Sequence, residues 1–485
     1  MQNIQALILA AGKSTRFKTG KSKLLQKICG QEMILYSTKL LETLHIPSTV
    51  VVGYQKEEIM DVLHANMQTP FNIIVQEEQR GTGHAVSCTQ TTWHAENVLI
   101  INADVPLLTG DIIQDLYRKH QEKRAAISLV VTYSEDPSDT RGRVINDEGK
   151  YKIVEHTEFN GDASEHTCVN AGIYLIRREF LDSYISKLDQ NNSKKEFYLT
   201  DLVKMASDNS LKVETLAASF DHVRGVNTFQ ELWAVEHIKR SELIQYWMMH
   251  GVRFNAPTSV HLDLNVSIGA GTEIGAGVQL RNKTQIGSDC IISDYCIIEQ
   301  SKIADRTQIK PFTFITESAI EGNAEVGPFA HIRNHAVVGS HAIIGNFVEI
   351  KKSVIGSHTK AKHLSYLGDA QIGDNVNIGA GTITCNHNGV KRNTTTIQDG
   401  AYIGSNNSLV APVTIGKNAY TAAGSTITKN VPSDALAIGR TQQVNKENYA
   451  SKLREKNSSP LSADTKDANN VLPFVAAIRA HDSTF

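Results

Sequence analysis

The first segment able to do chemistry follows an apolar run, Ala6 to Ala10, and reads Leu9-Ala10-Ala11-Gly12-Lys13-Ser14-Thr15-Arg16-Phe17, with Lys23 shortly after. Small residues and a glycine let backbone N–H groups approach a phosphate chain, and Arg16 and Lys23 carry charge that can neutralise it. The spacing fits neither a dinucleotide fingerprint nor a Walker loop. A strand-to-helix turn with two ordinary surface cations explains the segment equally well at this point. Asp104 closes another apolar run and can be read as a metal ligand or as a helix cap; Asn170 and Asn227 read by themselves as turn residues. In the second half, His363 belongs to the residue type whose unperturbed pKa near ~6.5 suits proton transfer at neutral pH. Taken alone, its default reading is a hydrogen-bonded surface histidine.

Positioning such residues requires two kinds of element. Short apolar runs at 6–10, 49–52, 73–75, 98–101 and 127–131 read as strands, separated by helical patterns such as 112–120. That alternation predicts an α/β, Rossmann-like domain with a mainly parallel sheet and ligands at the carboxyl ends of its strands. One long helix is expected from Phe229 to Trp247. From Ile268 to Ile427 an aliphatic residue then returns every sixth position, as in Ile268, Ile274, Leu280, Ile286, Ile292 and Ile298. Six is a multiple of the strand period, so each hexad puts its aliphatic residue, and the small residue two before it, on one inward face; Val348 and Ile350 are such a pair. Glycines following the aliphatic position (Gly269, Gly275, Gly287, Gly327, Gly339, Gly345, Gly373, Gly379, Gly404, Gly416) suit corners where a side chain would clash or φ must be positive. Three sides and three corners close a turn of a parallel β-helix, whose coils bury apolar rows only by stacking. The expected division is 1–228, a linker helix 229–250, the β-helix 251–440, and a tail 441–485.

Composition narrows the partners. The chain has 485 residues, too many for one core. Its 49 basic and 51 acidic residues give a formal charge of −2, with no global pull toward nucleic acid or anionic membrane, so any phosphate site is local. No apolar run reaches membrane-spanning length and the N-terminus lacks a leader pattern, which predicts a cytoplasmic protein. Six scattered cysteines suggest neither a disulfide framework nor a zinc site. Residues 455–470 are polar and precede a small apolar stretch, 471–480.

Further segments occur in the order found in sugar-nucleotide pyrophosphorylases. The opening loop resembles their L-A-A-G-x-G-T-R-M signature. Gln76-Glu77-Glu78-Gln79-Arg80-Gly81-Thr82-Gly83-His84-Ala85 resembles their base-reading segment, and Asn102-Ala103-Asp104-Val105-Pro106-Leu107 their metal-bearing strand end. Gly142, Glu155, Asn170, Thr200 and Asn227 follow in matching contexts. The hexads resemble the left-handed β-helix of hexapeptide-repeat acyltransferases. Joined, and covering about Ala6 to Arg440, these features are similar to the bacterial bifunctional enzymes that acetylate and uridylylate amino sugar phosphates.

The resemblance implies acetyl transfer from acetyl-CoA to glucosamine 1-phosphate, then uridylyl transfer from UTP to N-acetylglucosamine 1-phosphate. It implies one Mg²⁺ on Asp104 and Asn227, with Arg16 and Lys23 on the phosphates. Leu9, Ala10, Ala11, Gly12, Gln76, Gln79, Gly81, Thr82, Asn102 and Ala103 would take the nucleotide, and Gly142, Glu155, Asn170 and Thr200 the sugar. In the repeats it implies His363 as general base, Arg333 and Lys351 on the sugar phosphate, and Tyr366 and Asn377 on the ring. Coenzyme A would lie along Ala380, Asn386, His387, Ser405, Ala423 and Arg440, and the acetyl site would be shared within a homotrimer. Cys385 has no paired base and reads as a packing residue, and 385–396 as a projecting loop. Ser14, Ser22, Asn102, Ala103, Asn334, His387 and the basic pattern Lys391-Arg392 depart from the family; Ala103 is expected to crowd a ribose. Two other readings stay open on sequence: a nucleotidyltransferase with a merely structural β-helix, and a trimeric scaffold without chemistry.

Overall fold

The computed structural model describes residues 1, 3–13, 15–18, 20–136, 139–161 and 167–458. Ser14 and the apolar stretch 471–480 lie outside them. Two units pack separately, Met1–Ile438 and Gly439–Phe485, and the second contributes one described helix, Tyr449–Ser458.

The apolar runs form strands a little longer than expected because their flanking residues also pair. They are β1 (Ile4–Ala10), β2 (Ser48–Val52), β3 (Asn72–Val75), β4 (Asn97–Asn102) and β5 (Ile127–Tyr133), joined by β6 (Cys168–Arg177) and β7 (Val213–Ala217). Their order is β7-β5-β6-β4-β1-β2-β3. All run parallel except β6, which is antiparallel to both neighbours. Leu7, Ile8, Val50, Ile100 and Ile101 are wholly buried, as expected for strands covered on both faces. The helix predicted over 112–120 spans Gly110–Glu122 and is α1.

Helix α2 (Phe229–Met249) leads out of the sheet domain. Thr228 accepts a hydrogen bond from Glu231 N (3.1 Å), and Glu231 Oε2 accepts from Asn227 N (2.7 Å) and from Thr228 Oγ1 (3.1 Å). This reciprocal cap fixes where the helix begins. Its far end packs Ile244 into the first coils of the repeat region. There the hairpin at Lys27–Glu32 also docks: Leu264 N donates to Cys29 O (2.9 Å).

From Arg253–Phe254 to Leu436–Ala437 the chain winds as a three-sided parallel β-helix. The hexad aliphatics point inward and are almost fully buried, Ile274, Leu280, Ile298, Ile332, Ile350, Ile403 and Leu409 among them; Val348 is buried beside Ile350 as expected. The sixfold rhythm is not unbroken. It drops to five from Ile298 to Ile303, Ile315 to Ile320, Ile350 to Ile355 and Leu367 to Ile372, which shortens an 18-residue coil to 17, and the coil from Ile372 to Ile397 holds 25.

The corners separate two causes that the sequence left together. Among the ten glycines named above only Gly327 has positive φ. The others face a neighbouring coil, where a Cβ would strike its backbone: Gly269 against Gly287 and Ser288, Gly339 against Gly356. Positive φ is taken instead by Tyr295, Phe312, Phe329, Phe347 and Leu364, stacked in one corner column. The four rings are parallel, with centroids 5.3, 5.1 and 5.4 Å apart, and each is about half exposed. All six cysteines are unpaired thiols. Among the described residues no helix is long and apolar enough to cross a membrane.

Gly345→Ala tests the backbone-contact reading, because the new methyl meets the Lys362 carbonyl. Overpacking of this kind should cost about 1–3 kcal/mol, read as a lower urea midpoint.

Candidate active sites

In the sheet domain, four of the predicted residues, Arg16, Lys23, Glu155 and Asn227, line a cavity of about 570 Å³. Arg16, Lys23 and Asn227 form one wall, with Lys13; Glu155 lies opposite, with Lys194 and Glu196. Phe17 is buried and meets Phe229 edge-on at 4.8 Å, which anchors the loop carrying Arg16 to the start of α2. A Cβ at Gly12 would meet nothing within 4 Å, so the protein's own packing does not demand glycine there. That leaves close approach of a ligand as its use.

Ser22, a departure from the family, is accommodated. Its hydroxyl accepts from Leu24 N (3.3 Å), capping the turn that presents Lys23, and its N–H donates to Gln55 Oε1. Proline could not make the second bond. Lys23 Nζ then sits 2.5 Å from Asp104 Oδ2 and 2.7 Å from Asn227 Oδ1. The backbone clamps both partners: Val226 N donates to Asp104 O (2.9 Å), and Asn227 is held by Glu231. Ala103 corrects an expectation. Its methyl is fully buried in the core beneath β4, so it presents no surface that could crowd a ribose. Asn102 lies against Gly172, whose φ is +73° within the irregular stretch of β6.

The segment from Gln76 to Thr82 is tied down from within. Gln76 is buried, its amide donating to Gly81 O (3.2 Å) and facing His84 Nδ1 (2.9 Å), while Gln79 donates to Gln76 O (3.1 Å). Thr82 Oγ1 accepts from Leu199 N (3.1 Å), and Gly81, with φ +106°, passes close to Phe197. These contacts bring Thr200 to Glu155, whose Oε1 accepts the hydroxyl at 3.0 Å. Burial raises the Glu155 carboxyl above its usual range; Thr200 and the charge of Lys194 act against it. Asn170 N donates to Gly142 O (2.9 Å) and Asn170 Oδ1 accepts from Gly172 N (3.0 Å). Sequence reasoning missed Lys13 and Lys194, for which no motif spacing gave a signal.

In the β-helix, coil register assembles two groups. Arg333 aligns with Lys351, and Lys351 with Gly368, on one side. Arg333 donates through Nε (2.9 Å) and Nη2 (2.6 Å) to Glu349 Oε1. Lys351 is lowered from its ordinary range by burial first, then by the nearby charges of Arg392 and Arg333. Asn386 donates to Asp369 Oδ2 (2.6 Å) and Tyr366 Oη (3.3 Å). His363 stands apart from this cluster, before the corner at Leu364, with Nδ1 3.1 Å from Asn346 Oδ1. Asn377 aligns with Lys360 and Tyr402, also before the corner. The same registers carry Ala380, Ser405 and Ala423 into line beneath His363.

One prism therefore brings Arg333, Lys351, Tyr366 and Asn386 together and leaves His363 around the corner. His387 is exposed on the projecting loop, which begins at Asn386 because Cys385 still pairs with Val410. Arg440 falls in the second unit. Glu349 and Asn346 were missed, although stepping back 17 residues from His363 finds Asn346.

A sheet domain with a cation-lined cavity, joined to a hexapeptide prism with its own charged cluster, defines a sugar nucleotidyltransferase fused to a hexapeptide acyltransferase. Residues 6–193 match the MobA-like NTP transferase domain, 394–429 the bacterial transferase hexapeptide and 262–342 the GMPPB C-terminal domain. The chain is 40% identical to the bifunctional protein GlmU of Thermosipho melanesiensis, covering 92% of this chain and 97% of that protein. It is 38% identical to the namesake from Geobacillus thermodenitrificans, covering 94% and 99%. The chain belongs to the family of the bifunctional protein GlmU, and it is a bifunctional transferase of UDP-N-acetylglucosamine synthesis, pairing acetyl with uridylyl transfer.

Thr200→Val should move the acid limb of uridylyl transfer to higher pH. Losing the hydroxyl removes a contact that lowers the Glu155 pKa, so the carboxylate persists over a narrower range; kcat/KM against pH from about 5 to 8 checks it.

Proposed function

We propose that the two reactions run at the two charged clusters just described, in domains spanning 1–228 and 251–440 joined by a linker, 229–250. The single observation that carries this reading is that residues far apart in sequence converge on separate anion-handling sites, one in the sheet and one in the prism. A reaction between two anions needs cations that cancel repulsion while geometry holds the reactants in line. Arg16 and Lys23 supply positive charge on the phosphates. Glu155, Asn170, Gly142 and Thr200 hold the sugar, and the segment from Gln76 to Thr82 holds the base.

Asp104 and Asn227 direct two oxygens at one cation position, a donor set that suits Mg²⁺, which takes few protein ligands and completes its shell with water and phosphate. When bound, that ion supplies charge neutralisation on the phosphates.

In the prism, Arg333 and Lys351 bind the phosphate of glucosamine 1-phosphate, and Tyr366 and Asn377 orient the ring. With His363 Nδ1 donating to Asn346 Oδ1, the imidazole lone pair is on Nε2. Nε2 takes a proton from the substrate ammonium. The amine then attacks the acetyl carbon of acetyl-CoA, the C–N bond forms as the C–S bond breaks, the second proton on nitrogen passes to the departing thiolate, and the proton first taken by Nε2 is released to water, which leaves a neutral amide and the free thiol of coenzyme A. Ala380, Ser405 and Ala423 give coenzyme A a shallow track beside His363, and Asn386 and His387 complete it. The separation of His363 from Arg333 within one prism, and the half-exposed ladder Tyr295-Phe312-Phe329-Phe347 on the same corner, support a homotrimer whose acetyl sites span neighbouring prisms. A cytoplasmic enzyme feeding cell-envelope polymers fits these substrates.

His363→Ala should lower acetyl transfer by at least about a thousandfold while sparing uridylyl transfer from supplied N-acetylglucosamine 1-phosphate; both rates are measured on one preparation, and loss of both in folded protein defeats the two-site reading. Separately, Phe329→Glu with Phe347→Glu should shift the mass by light scattering from trimer to monomer and reduce acetyl transfer alone.

A further inference from the structure

Lys23 occupies an unusual place for a phosphate-binding cation, since its ammonium lies between the very oxygens assigned to the metal, 2.5 Å from Asp104 and 2.7 Å from Asn227. The backbone that carries each oxygen is held. Asp104 is tied through its carbonyl to Val226 N, and Asn227 through its N–H to the capping carboxylate of Glu231. The movable partner is the lysine side chain, a flexible four-carbon stem on a turn fixed by Ser22. The same cavity is lined by Lys13 and Arg16. Lys194, Glu155 and Glu196 line it too, and a dication arriving alone must displace the Lys23 ammonium from the Asp104–Asn227 pair. A nucleoside triphosphate reverses this balance, because its phosphates attract the lysine and bring acceptors for the ion.

We infer that Lys23 is the resident cation of the Asp104–Asn227 pair, so that a divalent ion enters only together with nucleotide, whose phosphates draw the ammonium off. The inference rests on the reading of Asp104 and Asn227 as metal ligands and adds an order of binding to it. Lysine in the site lowers the apparent metal affinity of the free protein by the fraction of molecules in which the pair is cleared.

Titration of full-length protein with Mn²⁺, followed by electron paramagnetic resonance against protein-free samples, tests this without measuring turnover. Wild type should bind Mn²⁺ weakly alone and tightly with UTP. Lys23→Met should bind Mn²⁺ without UTP at least about tenfold more tightly than wild type, as expected where the cleared form is a tenth or less of the population. Lys23→Arg, which keeps the charge, should behave as wild type and separates charge from packing. Equal Mn²⁺ affinity in Lys23→Met and wild type overturns the inference. If Asp104→Asn leaves UTP-dependent Mn²⁺ binding intact, the metal-ligand reading itself fails, which is a different result.

Discussion

The cap at Asn227-Thr228-Glu231 joins the two halves of this molecule in one set of hydrogen bonds. Its carboxylate accepts the Asn227 N–H and so aims that side chain at Lys23 and Asp104. The same carboxylate starts α2, the helix that reaches the first coils of the prism. One acidic side chain therefore sets both the geometry of a phosphate-handling cavity and the route by which the chain leaves it. Carboxylates are favoured at helix N-termini by the local N–H groups and dipole, which is why this position can carry both duties.

The prism works on a different constraint. Successive coils approach so closely that a methyl group at most corner glycines would meet backbone, and that closeness holds the register across the whole stack. Rigid register is what gives the acetyl site its shape. Arg333, Lys351 and Gly368 share one column, while His363, Ala380, Ser405 and Ala423 share another around a corner. Charge collects on one side, where Glu349 and Asp369 partner the cations and Asn386, and the track of small side chains lies beside the base. Separating these groups within one chain makes a neighbouring prism a natural contributor.

Much of this was legible from residue order. The strands, the long helix and the inward aliphatic rows follow from period and length, since burial repeats with the backbone geometry. Order of motifs also located the cavity residues Arg16, Lys23, Glu155 and Asn227. What could not be read were contacts that depend on coil stacking or loop placement: Glu349 on Arg333, and Lys13 and Lys194 in the cavity. Nor could the methyl of Ala103 be assigned to core or pocket, because adjacent residues at a strand end face opposite ways.

By itself the sequence determined the two architectures and the chemical character of each site, because hexads and ordered motifs are local patterns that survive without knowledge of neighbours. Tertiary structure alone decided that the glycines after the aliphatic positions mostly serve close approach, and that one corner column carries aromatic side chains on its left-handed turns. It also decided that Ser22 caps the turn before Lys23, and that Lys23 sits between Asp104 and Asn227. The physical reason is that each of these depends on distances between segments remote in sequence, and such distances are fixed by packing and register.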